Sequence, residues 1–330
     1  MFIACSESKE TRIQRFLAQG NDMVKKQNYE EAIDFYEGAL QLDSCFVDAW
    51  NNLGTLYFKK KDYQRAINHY SQAVQCDPDY LQAYINRINV YYESNELFIA
   101  LKDLDRVEQI KPDTVVVYFL RGLVLTKMRK YEEAKDNFNE ALLFDKTNEE
   151  LVINLASIYY YQRNYDSARM LLNQVIQNPA ADPNAWNTLA LIEAESGNYD
   201  QALVHINQAI KKDPRNAYYL NNRGYIYLLK WELNKAIADI NESITIDPYN
   251  AWAYRNKGIY YTHASSYDEA IAMFERALKE DQNVGSINYW IGEAYWEKGD
   301  KQTACSYYQK SIAENEGEKV SVLRQRCPAI

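Results

Sequence analysis

The stretch DAWNNLGTLYFKKKDYQRAINHYSQAVQCDPD, residues 48–79, decides how this chain is read. Trp50, Leu53 and Tyr57 fall at helical spacing, and Tyr63 and Tyr70 repeat that spacing further on, so the stretch reads as amphipathic helix. Asn51 and Asn52 stand inside it, although asparagine is a mediocre helix former whose side chain competes for backbone hydrogen bonds. They need a reason to be there.

Stepping by 34 residues from WNNLG finds the same pattern nine times, from Ile13 through Glu318, without insertion or deletion. The twentieth position of every unit is alanine: Ala32, Ala66, Ala100, Ala134, Ala168, Ala202, Ala236, Ala270 and Ala304. The eighth is small in all but one, with Gly20, Gly54, Gly122, Ala156, Ala190, Gly224, Gly258 and Gly292 against Ile88 in the third unit. Small residues let two helices approach closely, and large ones at positions four, seven, eleven, seventeen and twenty-four fill the space between. Neither helix of a unit can bury its apolar stripe alone, so stacked units share one elongated core. Pro78, Pro112, Pro214 and Pro248 share one boundary position, while Gly197–Asn198 and Gly299–Asp300 mark the turn inside a unit. The spacing predicts eighteen helices and a shorter one from about Glu318 to Cys327 covering the last apolar face.

This combination of length, small and large positions closely resembles the tetratricopeptide repeat, or TPR, over residues 13–318. The resemblance implies an all-α fold, a right-handed TPR superhelix or α-solenoid of antiparallel helix pairs, whose inner surface is built mainly from the first helix of each unit. It also implies recognition of a peptide or protein segment along that surface. The chain divides accordingly into an N-terminal tail, 1–12, a nine-repeat domain, 13–318, and a capping helix with C-terminal tail, 319–330. In the third unit Ile88 and Leu97 depart from the pattern, which calls for compensated packing or a local bend. Glu193 occupies the place of a tyrosine, and its carboxylate head is expected to reach solvent or a donor because an isolated buried charge is costly.

Catalytic chemistry finds little support. The chain has three histidines, His69, His205 and His263, and their places in the repeat frame keep them apart, so no metal triad or catalytic pair is expected. There is no GxSxG elbow, no GxxxxGK[ST] loop and no GxGxxG loop. Neither an enzymatic role nor a cofactor is expected.

Amides and aromatics offer more. Asn52, Asn86, Asn154, Asn222 and Asn256 share the sixth position of their units, with Asn21 and Asn89 at the ninth and Asn51, Asn187 and Asn221 at the fifth. An amide carries donors and an acceptor, which suits the backbone of an extended ligand whatever its sequence. The row resembles the asparagine ladder of peptide-binding TPR superhelices, though Ala18, Leu120, Thr188 and Trp290 interrupt it. Hydrogen bonding between repeats is the competing use. Phe58, Tyr92, Tyr160 and Trp296 share the twelfth position, and Trp252 is expected to face inward with them as an anchor. The TPR clamp for a C-terminal carboxylate is disfavoured, because Leu17 and Gln82 stand where it needs positive charge.

A net charge of −9 without a basic tract excludes nucleic acid as a main partner. No apolar run is long enough to span a membrane. The five scattered cysteines suggest reduced thiols rather than a disulfide framework. MFIACSESKE nevertheless resembles the lipid-attachment boundary of a bacterial lipoprotein at Cys5. The expectation is therefore a monomeric, cytoplasmic scaffold or adaptor for another protein, with a lipid-anchored envelope subunit or an enzyme's regulatory subunit as alternatives.

Overall fold

The computed structural model describes residues 7–112, 114–314 and 320–327, so the Cys5 lipidation expectation lies outside the described residues. The chain divides into two compact units, residues 1–162 and 163–330, and each is described by itself. The first holds α1 (Lys9–Lys25), α2 (Tyr29–Leu42), α3 (Val47–Lys59), α4 (Tyr63–Cys76), α5 (Leu81–Glu93), α6 (Leu97–Ile110), α7 (Val115–Lys127), α8 (Tyr131–Phe144) and α9 (Glu149–Tyr161). The second holds α10 (Tyr165–Val175), α11 (Pro183–Glu195), α12 (Tyr199–Lys212), α13 (Ala217–Leu229), α14 (Leu233–Ile246) and α15 (Ala251–His263). It continues with α16 (Tyr267–Glu280), α17 (Ile287–Lys298), α18 (Lys301–Ala313) and the short α19 (Val320–Arg326). The described residues form no strand, and the helices follow as sequential antiparallel pairs, an α-solenoid arrangement.

Steric fit between the eighth and twenty-fourth positions explains the pairing. A Cβ added to Gly54 would lie 2.6 Å from the Tyr70 ring, and one added to Gly258 would lie 2.4 Å from the Phe274 ring. Glycine is required there because the aromatic ring packs directly on the helix backbone. Where the small residue is replaced, its partner shrinks: Ile88 shares a buried cluster with Leu104, not with an aromatic residue. That is the compensated packing the sequence left open. Each fully buried aromatic of this row contributes roughly 2–3 kcal/mol of burial free energy, an upper figure because unfolded chains already bury some surface.

The fifteenth position closes every hairpin turn in the left-handed region. Gln27, Lys61, Asn95, Arg129, Arg163, Trp231 and Ser265 have φ between 58° and 64°, and Gly197 and Gly299 complete the set. Two backbone bonds pay for that geometry in the second repeat: the Lys61 amide donates to the Phe58 carbonyl at 2.9 Å and the Asp62 amide to the Tyr57 carbonyl at 2.9 Å.

The thiol expectation is corrected. Cys45 bridges Cys76 and Cys305 bridges Cys327, with Cα separations of 5.3 and 5.7 Å. The repeat itself makes the first pair possible: stacking brings the turn after α2 beside the end of α4, although 31 residues separate the cysteines. The second pair fastens α19 to α18, and Leu323 and Cys327 are buried with Ala304 and Tyr308 beneath it. Glu293 completes the cap by accepting from Tyr308 Oη at 2.7 Å and Arg326 Nη1 at 2.6 Å.

Candidate peptide-binding face

The first helices of the repeats bring most of the asparagines together in rungs between neighbouring repeats. Asn86 Nδ2 donates to Asn51 Oδ1, Asn222 to Asn187, and Asn256 to Asn221, each at 2.8 Å. Asn52 Nδ2 reaches Asn21 Oδ1 at 3.1 Å, and the Tyr36 hydroxyl donates to that same oxygen at 2.7 Å. The row therefore has a structural use in joining repeats. Asn154 stays on its own helix, where Nδ2 donates to the Glu150 carbonyl at 2.9 Å.

Exposure separates the members. Asn21 is exposed, and Asn52, Asn86, Asn89, Asn154, Asn187 and Asn222 are half-buried. Asn221 and Asn256 are each 1% exposed, which leaves them as internal connectors in this conformation. Asn256 Oδ1 also accepts from Arg255 Nε at 3.1 Å and Nη2 at 2.9 Å.

The aromatic candidates fall into similar groups. Tyr92 is half-buried with Lys127 Nζ 4.5 Å from its ring centroid, and Tyr160 packs at 5.5 Å on Tyr161. Phe58 packs into the cluster around Tyr70. Trp296 serves the cap, with the Arg326 guanidinium 5.1 Å from its ring centroid and Tyr308 at 6.3 Å. Trp252 keeps 36% of its surface exposed, and Tyr218, at the same position one repeat earlier, keeps 52%.

The seventh position, expected to be apolar, instead holds arginine in three repeats, and in two of them the arginine pairs with an aspartate of its own repeat. Arg87 makes a two-point contact with Asp103 at 2.7 and 2.8 Å, and Arg223 does the same with Asp239 at 2.6 and 2.8 Å. Each arginine also reaches the preceding repeat, at Ser71 and Asn207 respectively. An Arg followed by an Asp sixteen residues later, twice at the same repeat positions, was the available signal. Glu193 met its expected donors: Oε1 accepts from Arg169 Nε and Oε2 from Asn198 Nδ2, both at 2.8 Å. Burial alone would raise its pKa, but the hydrogen bonds from Asn198 and Arg169 outweigh that and hold the carboxyl below its ordinary value.

The histidines are packing members. His69 stacks on Tyr57 and Trp50, His205 lies 5.6 Å from Trp186, and His263 stacks on Trp231 at 4.4 Å. Burial pushes the pKa of all three down. Among the described residues no group of three or more histidine, cysteine or carboxylate side chains is placed to hold a metal, and no helix is long and apolar enough to cross a membrane. A cavity of about 330 Å³ between the third and fourth repeats is lined by Leu101, Leu125 and mixed charges, with Arg121 tied to Asp105 and Glu108.

Repeated helix hairpins, each packed through small and large residues at fixed positions, define the class: an α-solenoid. Family models agree. The tetratricopeptide repeat matches at residues 47–80, 125–192, 188–251 and 256–318, and the TPR repeat at 20–61. The chain belongs to the tetratricopeptide repeat family. A search of curated proteins gave no match. Among solved structures, a chain of the APC/C hetero-tetramer Cut9–Hcn1 is similar, at 16% identity and a TM-score of 0.59, covering 98% of this chain and 78% of that one. A structure from a functional characterization of Pseudomonas aeruginosa pilF is similar at 20% identity and a TM-score of 0.53, covering 64% of this chain and 96% of that one. A tetratricopeptide repeat protein from Parabacteroides merdae gives 19% identity and a TM-score of 0.48, covering 86% and 98%. At these identities the likeness concerns the fold.

Proposed function

We propose that the protein is a non-enzymatic scaffold that holds an extended segment of another protein along its first-helix face. The half-exposed amide rungs carry this reading. Asn52 and Asn86 in one compact unit, and Asn187 and Asn222 in the other, present polar side chains to solvent at the repeat spacing. An extended chain advances roughly 3.3–3.6 Å per residue, and packed helices lie about 8–10 Å apart, so one rung meets about every third ligand residue. The amides serve the ligand backbone, and exposed aromatics select side chains.

A photo-crosslinking amino acid placed at the exposed first-helix residue 82 or 218, with residue 68 on α4 as a control, tests this directly. The first-helix probes are expected to capture a partner segment that N52A/N86A/N187A/N222A loses while circular dichroism stays unchanged. Capture through residue 68 alone, or a partner set unaffected by the fourfold variant, would sink the proposal.

A second reading has the scaffold working in an oxidising compartment, attached through Cys5. Two disulfides support the compartment, because such bonds are rare where thiols are kept reduced. Cys5 is then the one cysteine outside the two bridges. Intact-mass measurement of protein from its native source checks this: two bridges and a lipid on the N-terminal fragment support the reading, and four free thiols contradict it.

A further inference from the structure

The ninth repeat breaks the rule of the others where it meets Trp252. The first helices α3, α5, α7, α9, α11, α13 and α15 begin at the first position of their repeats, whereas α17 begins at the third, Ile287. Ser286 sits at φ 58°, and among the described residues it is the non-glycine left-handed residue that does not belong to a hairpin turn. The late start leaves the Gly285 carbonyl outside the helix, where it accepts from Arg255 Nη1 at 2.9 Å. A Cβ at Gly285 would lie 3.0 Å from Cη2 of the Trp252 indole, so the glycine leaves room for the ring edge.

On one face the same indole meets the Arg255 guanidinium, whose central carbon lies 4.7 Å from the Trp252 ring centroid and 5.2 Å from that of Tyr225. Arg255 is itself 7% exposed and hydrogen-bonded to Asn256, the inner end of the amide row. Trp252 is therefore braced at its edge by a glycine notch and on one face by a buried cation, while 36% of it stays open. An exposed tryptophan already held in place loses little side-chain freedom on binding, which is the physical profile of a hot spot.

We infer that Trp252 is the specificity anchor of the bound segment and takes an aromatic side chain of that segment, phenylalanine or tyrosine, against its open face. This rests on the reading that an extended segment lies along the first helices. Charge selects the occupant. A cation on one face draws electron density from the indole, which favours an aromatic ring on the opposite face. A lysine or arginine there would meet a depleted ring and the repulsion of Arg255 through a poorly solvated gap. Tyr218, exposed one repeat earlier, extends the same surface towards the half-buried Asn187–Asn222 rung.

The test pans a phage library of random twelve-residue peptides against the whole protein and against W252A, W252F, G285A and N187A/N222A, each first checked for an unchanged melting midpoint. Peptides enriched on the wild type are expected to carry an aromatic residue at one fixed position and to exclude lysine and arginine from it. A synthetic peptide of that consensus should bind W252A about tenfold or more weakly, as hot-spot truncations do, and W252F within about threefold. G285A, which crowds the indole, should fall between them. Enrichment without a fixed aromatic, lost on N187A/N222A and kept on W252A, overturns this inference and leaves the scaffold reading standing. No enrichment on any form overturns both. Consensus binding that W252A leaves unchanged also overturns it.

Discussion

The amide rungs of repeats one to three and the one that joins repeats seven and eight use one residue type in two different environments. In the first region Asn52 and Asn86 stay half-buried, and Asn86 also accepts from Gln82 at 3.0 Å. In the second, Asn221 and Asn256 are 1% exposed and the row ends on Arg255, under Trp252. What differs is the neighbour: Gln82 and Ile85 stand in the third repeat where Trp252 and Arg255 stand in the eighth. An asparagine on a repeat face is thus left partly open to solvent or buried as an internal connector according to the size and charge of residues beside it.

The regions should respond most strongly, and alike, where their chemistry is alike at the chain ends. Reduction of Cys45–Cys76 or Cys305–Cys327 is expected to cost about 3–4 kcal/mol each on the chain-entropy model, from loops of 31 and 22 residues. Chemical denaturation of C45S/C76S and C305S/C327S, followed by unit-resolved hydrogen exchange, checks it. Equal loss in both compact units from one variant would show that the bridge is not local.

Next come the ion pairs. D103A and D239A each leave a mostly buried arginine without its carboxylate and should destabilise their own unit by about 3 kcal/mol. Because the two pairs share geometry, the two losses should agree within about 1 kcal/mol. A large difference would mean that Ser71 or Asn207 carries part of the charge burden.

Acid separates the regions more weakly. His69 in the first and His205 and His263 in the second have pKa values lowered by burial, so folding favours their neutral form. Their contribution is present above the unfolded value of about 6.5 and is lost as pH falls through the folded values. Melting midpoints measured from pH 7.5 down to pH 5 should decline in both units, and H69Q should flatten the decline in the first alone. A first-unit midpoint that falls as steeply in H69Q would contradict the assignment.

The repeat frame was legible because its determinants are steric and recur. Gly54 against Tyr70 and Gly258 against Phe274 leave the same imprint at the same spacing, and Ile88 was readable as a deviation. The ion pairs escaped because Arg87 and Asp103 look like solvated charges until the hairpin brings them together. Cys45 and Cys76 meet through stacking between repeats, which the count of five cysteines does not reveal. The candidate face was half legible. Asn52 and Asn256 are the same residue at the same position, and burial of the second follows from Trp252, Arg255 and the unwound Gly285–Ser286 segment, none of which marks the asparagine itself.

Local opening free energies of N52A and N256A, measured by native-state hydrogen exchange, test the division of the amide row most directly. N256A removes the donor to the buried Asn221 oxygen and one acceptor from Arg255 and should cost about 2 kcal/mol, whereas N52A should cost less than about 1 kcal/mol because water can replace the lost rung. Equal costs for the two variants, or a larger one for N52A, would contradict the account.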